Sequence, residues 1–270
     1  MNKINVKEKV LWNESLGAGY FKMGITANSI YATAIPGQFV MVHADQVLTP
    51  LLRRPFSIHQ INKGSDGEVS SIDILYKVVG DSTQRFSEMK PGTTIHLLGP
   101  LGNGFTVPRG GGQRIFIVGG GIGIAPMVFL AQELMAKGIF PSLCRAFIGG
   151  RTKSDILCEA AFAAMGIPVT ITTDNGSLGQ KGFVTEAVSA AMEPDLPDLI
   201  CSCGPHLMLK KVAAIASENG IPCQVSIETM MACGMGACLG CAVPANDPSG
   251  HYKHACIDGP VFDAETILLE

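Results

Sequence analysis

With 270 residues, the chain exceeds the ~100–200 residues of one ordinary domain, so two or three units are expected. A net charge of −3 without any basic block argues against a general nucleic-acid binder, and no run reaches the ~18–20 uninterrupted apolar residues of a membrane helix. Residues 1–10 alternate charged and apolar side chains, which is not the apolar core of a secretory signal. The nine cysteines are an odd number, and Cys144, Cys158, Cys201, Cys203 and Cys223 are scattered among apolar neighbours. That pattern reads as free thiols in a reducing compartment, so a cytoplasmic protein is expected.

From Lys3 to about Pro108 the chain is a series of short β-rich runs broken by glycine and proline. Phe39–His43, Ser71–Val79 and Thr94–Leu98 are examples, and their spacing predicts a small antiparallel barrel or sandwich. Within it stands Arg53-Arg54-Pro55-Phe56-Ser57-Ile58. A guanidinium offers the planar, bidentate pairing a phosphate requires, and proline presents the next residue from an extended backbone. A surface arginine before a strand is the plain alternative. Further on, Leu75-Tyr76-Lys77-Val78-Val79-Gly80-Asp81-Ser82-Thr83 reads as a strand running into a loop whose amides can meet an anion. Residues 99–104, Gly-Pro-Leu-Gly-Asn-Gly, read as a turn.

These two segments resemble the flavin motifs of the ferredoxin–NADP reductase superfamily, an R-x-Y/F-S strand and a second strand ending in G-x-G-T. The resemblance implies FAD bound by Arg54, Pro55, Phe56 and Ser57, with Arg54 on the pyrophosphate and Ser57 near the flavin ring. It also implies that Leu75, Tyr76 and Lys77 flank the cofactor while Ser82 and Thr83 meet its pyrophosphate. Ser82 departs from the family, which has glycine there. Tyr76 is otherwise an ordinary strand aromatic.

Next comes a strand at Arg114–Val118, then Gly119-Gly120-Gly121-Ile122-Gly123-Ile124-Ala125-Pro126 and a helical pattern from Met127 to Lys137. Strand, glycine-rich turn and helix make the context of a phosphate site, since glycines admit the pyrophosphate and the helix start carries the positive dipole end, with a simple tight βα turn as the plain alternative. Gly119, Gly120, Gly121, Gly123 and Pro126 are the candidate contacts. Strands at Ser142–Ile148, Pro168–Thr172 and Leu199–Cys203 alternate with helices near Ile156–Met165, at Phe183–Met192 and at His206–Asn219. This alternation predicts a parallel sheet with helices on both faces, with ligands at the carboxyl ends of its strands. Cys203-Gly204-Pro205-His206-Leu207-Met208 resembles the superfamily's C-G-P-x-x-M element, which implies Cys203, Gly204 and Pro205 near the nicotinamide. A buried small hydrophobe is the other reading of Cys203. Asp174, in Thr173–Ser177, resembles a further nucleotide contact, and His206 reads as a surface residue. Arg151 and Lys153 lie past the second strand, where a 2′-phosphate is read.

Cys233, Cys238, Cys241 and Cys256 close the chain in a C-x4-C-x2-C-x14-C run, the spacing of plant-type [2Fe–2S] ligands. Gly234, Gly236 and Gly240 supply the curl such a loop needs. A zinc site usually shows two separate C-x2-C pairs, and a Rieske centre would need two histidine ligands. His251 and His254 read as hairpin residues instead. The ending E-x-x-M-x-C-G-x-G-x-C-x-G-C followed by C-x-D-G-P-V-F closely resembles the electron-transfer subunits of NAD-linked dihydroorotate dehydrogenase B. That resemblance spans the whole chain: an FAD-binding barrel at 1–110, an NAD-binding α/β domain at 111–225 and a cluster domain at 226–270. It implies FAD, a [2Fe–2S] cluster and NAD rather than NADP. It further implies a separate FMN-containing catalytic subunit, two of each chain, that oxidises dihydroorotate in pyrimidine biosynthesis. The rival reading keeps the cofactors and changes the partner, to a ferredoxin:NADP oxidoreductase or sulfide dehydrogenase complex.

Overall fold

A computed structural model describes residues 4–44, 50–108, 111–193 and 196–269. The expected boundary at residue 110 lies outside them. The first unit contains β1 (Ile4–Gly17), β2 (Tyr20–Thr26), β3 (Phe39–Ala44), β4 (Arg54–Lys63), β5 (Val69–Lys77), α1 (Asp81–Ser87) and β6 (Thr94–Leu101). Its strands close into a barrel in the order β1-β2-β5-β4-β3-β6. Strand alternation gives the barrel two apolar surfaces. On β3, Val40 and Val42 belong to the barrel interior, together with Ile25, Ile58, Ile74 and Leu97. Phe39 and Met41, one residue out of phase, join a different core outside the barrel.

The second unit contains β7 (Ile115–Gly120), α2 (Ala125–Ala136), β8 (Cys144–Gly150), α3 (Glu159–Ala164), β9 (Val169–Thr173) and β10 (Gln180–Lys181). It continues through α4 (Val184–Met192), β11 (Leu199–Cys203), α5 (His206–Glu218) and β12 (Cys223–Ser226). The last stretch adds β13 (Ala242–Pro244), β14 (Tyr252–His254) and β15 (Val261–Asp263). The sheet order is β10-β9-β8-β7-β11-β12-β15, parallel except for β15, while β13 and β14 form a hairpin. β12 therefore runs past residue 225, and β15 ties the cysteine-bearing stretch to the same sheet. His254 lies in β14 and His251 just before it.

Three local expectations differ from the structure. Gly99, Pro100 and Leu101 are not turn but the end of β6, with Gly99 opposite Ile4 and Leu101 opposite Phe39. Leu101 is fully buried, so apolar packing overrides the glycine and proline turn signal there. Residues 81–83 are the first turn of α1 rather than an open loop. The Thr83 hydroxyl accepts from the N–H groups of Val79 and Gly80 and donates to the Gly80 carbonyl, a side-chain cap that starts the helix. The helix expected near Ile156–Met165 is confined to α3, because Cys158 before it takes a left-handed φ of 64°.

Candidate functional site

The site is built from two clefts that share a wall. The first, about 290 Å³, lies between the barrel and the sheet. Its barrel side is formed by Arg54, Pro55, Phe56, Ser57, Leu75, Tyr76, Lys77 and Thr83, eight residues the two flavin-like segments nominate. Across from them, Pro126 and Cys203 come from the sheet unit and Thr229 and Met231 from the segment leading to the cysteines. Ser82 is not among its lining residues. The Tyr76 ring, at the cleft wall, packs against Phe21, Phe56 and Phe86, and its hydroxyl donates to Asn13. The Arg54 guanidinium, half-buried, donates to the carbonyls of Leu52 and Arg53 at 3.1 and 3.3 Å. The Thr229 hydroxyl is buried in this wall without a hydrogen-bond partner, an unmet group of the kind a bound polar cofactor satisfies. The cleft thus fits a flavin nucleotide: apolar and aromatic sides, one guanidinium, and orphaned polar capacity.

The second cleft, about 680 Å³, lies over the carboxyl ends of β7, β8 and β11. Gly120, Gly121, Gly123, Gly204 and Pro205 line it, as do Arg151 and Asp174, while Lys153 does not. A Cβ on Gly123 would stand 2.6 Å from the Cys203 carbonyl carbon, so only glycine lets the two loops close on each other. Gly119 is placed otherwise than expected: a Cβ there would run into Ile124, and the residue belongs to the buried strand, not to the cleft. His206 and exposed Phe183 and Leu207 stand at this cleft.

Lys77, Ile122, Gly123 and Glu228 line both clefts. Glu228 opens the quoted E-x-x-M-x-C ending without a role assigned to it there, and Tyr20 and Asp155, which also line the second cleft, belong to no motif. Burial raises the pKa of the Glu228 carboxyl, with His206 opposing the rise. Burial likewise pushes the neighbouring Cys203 thiol to about 12, so it stays a neutral, packed group and no nucleophile. Burial raises the Asp155 carboxyl, but the hydrogen bond from Tyr20, the Thr152 amide and the Lys77 and Arg151 charges outweigh it, and its pKa falls below the usual range.

The cysteine loop packs on the barrel: a Cβ on Gly234 would meet the Met41 side chain at 2.5 Å. Gly234 and Gly236 take φ of 69° and 88°, but Gly240 does not share in the curl; Leu239 adopts the left-handed φ of 56° in its place. The sulfurs of Cys241 and Cys256 lie 3.2 Å apart, and the Cys256 N–H donates to the Cys241 sulfur. Cys233 accepts from the Met235 N–H at 3.4 Å. Burial would raise its thiol, yet the surrounding N–H groups of Met235, Cys238 and Ala237 and the Cys238 thiol hold it down at about 6. Among the described residues no three such side chains are grouped tightly enough for one metal ion. The thiols instead fall into pairs, Cys233 with Cys238 and Cys241 with Cys256. A tetrahedral ion with sulfur bonds of about 2.3 Å spaces two thiolates roughly 3.8 Å apart, so the second pair is close to the bite of one iron. Amides aimed at sulfur and paired thiols fit a two-iron cluster.

Comparison with known proteins agrees with this layout. The model of the iron–sulfur cluster binding domain of dihydroorotate dehydrogenase B matches residues 228–268, and that of the oxidoreductase NAD-binding domain matches residues 117–214. The dihydroorotate dehydrogenase B (NAD⁺) electron transfer subunit of Desulforamulus reducens is 38% identical over 97% of this chain and 97% of its own. That of Caldanaerobacter subterraneus subsp. tengcongensis is 38% identical over 98% of both. Among solved structures, a chain of an NADH-dependent reduced ferredoxin–NADP oxidoreductase superposes with a TM-score of 0.83 at 31% identity, covering 97% of this chain and 90% of that one. The ferredoxin NADP⁺ reductase of Neisseria gonorrhoeae, at 18% identity, TM-score 0.63 and coverage of 80% and 92%, shares the fold. With relatives this similar over nearly the full length, the chain belongs to the family of dihydroorotate dehydrogenase B electron-transfer subunits.

Proposed function

We propose that this chain carries electrons from the FMN of a dihydroorotate-oxidising catalytic subunit, through a [2Fe–2S] cluster and FAD, to NAD⁺ in pyrimidine biosynthesis. The observation that supports it best is the shared wall: Lys77, Ile122, Gly123 and Glu228 border both clefts, so two cofactor rings seated in them meet. Thr229 and Met231 line the flavin cleft, and Cys233 follows two residues later, which brings the thiolate loop to the same place. A flavin exchanges two electrons with nicotinamide and one at a time with a cluster, so it belongs between them.

The residues of the chain bind and align. Arg54 receives the flavin pyrophosphate and Ser57 stands by the ring. Gly120, Gly121 and Gly123 admit the phosphates of the dinucleotide, with Gly204 and Pro205 opposite. Cys233 and Cys238 hold one iron, Cys241 and Cys256 the other. NAD is the acceptor, as in the relatives the chain matches; Arg151, a candidate reader of a 2′-phosphate, lines the second cleft with its Nε 3.8 Å from Asp155. The partner is an FMN-bearing subunit, in a complex of two of each chain. Nine cysteines without a disulfide, five of them outside the cluster run, suit the reducing cytoplasm, and among the described residues no helix is long and apolar enough to cross a membrane.

A second reading is favoured by one observation, the high structural similarity to the ferredoxin–NADP oxidoreductase chain. In it the same cofactors serve a different partner. The test begins with the full chain, expressed anaerobically with iron: flavin and iron–sulfur absorbance and NADH oxidation by artificial acceptors are expected. A chain with neither chromophore sinks both readings. Co-purification with an FMN protein that oxidises dihydroorotate supports the first; a ferredoxin-linked partner without that activity supports the second.

A further inference from the structure

Between barrel and sheet, three polar side chains from separate elements are bonded in a chain. Tyr20 opens β2 and Lys77 ends β5, and the two are direct cross-strand partners. Asp155 comes from the turn after β8. The Tyr20 hydroxyl donates to Asp155 Oδ1 at 2.8 Å, and Lys77 Nζ donates to the Tyr20 hydroxyl at 3.0 Å. Lys77 Nζ also lies 4.4 Å from the Tyr20 ring centroid and 3.6 Å from Asp155 Oδ1. The other carboxylate oxygen accepts from the Thr152 N–H at 3.2 Å.

This arrangement is costly as mere glue. Tyr20 is 2% and Asp155 8% exposed, and two apolar side chains would join the units at less desolvation cost. What the polar chain does that an apolar one cannot is to hold an ammonium. A free lysine side chain samples many rotamers, and fixing one costs entropy. Here it is oriented from one side by a hydroxyl and an aromatic face. At 3.6 Å the carboxylate attracts the ammonium without forming a hydrogen bond, so donor capacity remains. Lys77 lines both clefts, at the seam where a dinucleotide entering the second would approach the first.

We infer that Tyr20 and Asp155 are positioning residues, which hold the Lys77 ammonium over the seam so that it meets the phosphate-bearing nicotinamide half of the incoming dinucleotide. The inference rests on the proposed reading of the two clefts. Its test uses the full chain with its cofactors: NAD⁺ affinity by direct titration, and stopped-flow reduction of the flavin by NADH, for wild type, Tyr20→Phe, Asp155→Asn, Lys77→Met and the Tyr20→Phe/Lys77→Met double variant. Tyr20→Phe keeps the ring and leaves the Thr152 bonds intact, so it stays folded even if Asp155→Asn does not. Tyr20→Phe and Lys77→Met are each expected to weaken NAD⁺ binding on the order of tenfold, with the limiting reduction rate changing much less. The double variant should be no weaker than Lys77→Met, and its affinity should vary less with salt than that of the wild type. Wild-type affinity in Tyr20→Phe, whatever its melting temperature, overturns the inference, as do effects that multiply in the double variant. A wild-type flavin that NADH does not reduce, on a chain whose NAD⁺ affinity still depends on Tyr20, would sink the functional reading and leave the positioning role standing.

Discussion

At the scale of single residues, the informative groups are those whose surroundings do not suit them. The Thr229 hydroxyl is buried without a partner in the flavin cleft. Glu228 stands on the wall where both clefts meet, exposed as a residue, and desolvation of its carboxyl raises its pKa. An acid whose folded pKa lies above its unfolded value contributes stability at low pH and loses it as pH rises through the folded pKa. The ionised carboxyl is therefore a burden on the fold at neutral pH. Glu228→Gln should accordingly melt higher than wild type at pH 7, with the difference shrinking as pH falls toward 4. Thermal melts across that range decide it, and a variant that melts lower at pH 7 would show that the carboxylate is held by bonds stronger than its desolvation.

At the scale of elements, the joint between β4 and α2 aligns the flavin strand with the glycine-rich loop. It is fastened by His59, whose Nδ1–H donates to the Ala125 carbonyl at 2.7 Å. Burial lowers the ring's pKa from 6.5 to about 4, so the imidazole is neutral in the fold. A base depressed in this way is protonated first in the unfolded chain, so stability is present above pH 6.5 and is lost as pH falls toward 4. Through this one group the loss amounts to roughly 3 kcal/mol. Denaturant unfolding at pH 7 and pH 4.5 should show it, and His59→Gln should flatten the dependence even if it is less stable at pH 7. An unchanged slope in the variant would mean that other groups carry the acid sensitivity.

At the scale of the whole molecule, one apolar core joins what the chain order separates. Phe39, Met41, Leu98 and Leu101 of the barrel pack in the same cluster as Val225 of the sheet and Cys241, Val243, Ala255 and Cys256 of the cysteine stretch. The cluster loop is thereby seated on the barrel while its tip stays open, with Leu239 58% exposed beside Cys238. An exposed leucine next to a redox centre suits a partner's surface. Leu239→Asp keeps a residue type that tolerates positive φ. It should weaken association with the catalytic subunit at least tenfold, about 1.4 kcal/mol, while iron content and NADH–dye activity are retained. Undiminished assembly on a sizing column would remove Leu239 from the interface.

Much of this was legible in the order of residues. The cysteine spacing, the Arg54–Ser57 strand and the glycine-rich turn into a helix are local patterns, because the chemistry they serve needs neighbours at fixed separations along one backbone. The alternation of strands and helices in the middle of the chain follows from periodicity in the same way. Tertiary structure decided what depends on side chains far apart in sequence. Gly119 lies under Ile124 instead of facing a ligand. Leu239 rather than Gly240 takes the left-handed turn. Tyr20 and Asp155 carry no motif, since their roles come from the docking of the barrel on the sheet, and a linear sequence holds no periodic trace of a contact made across 135 positions.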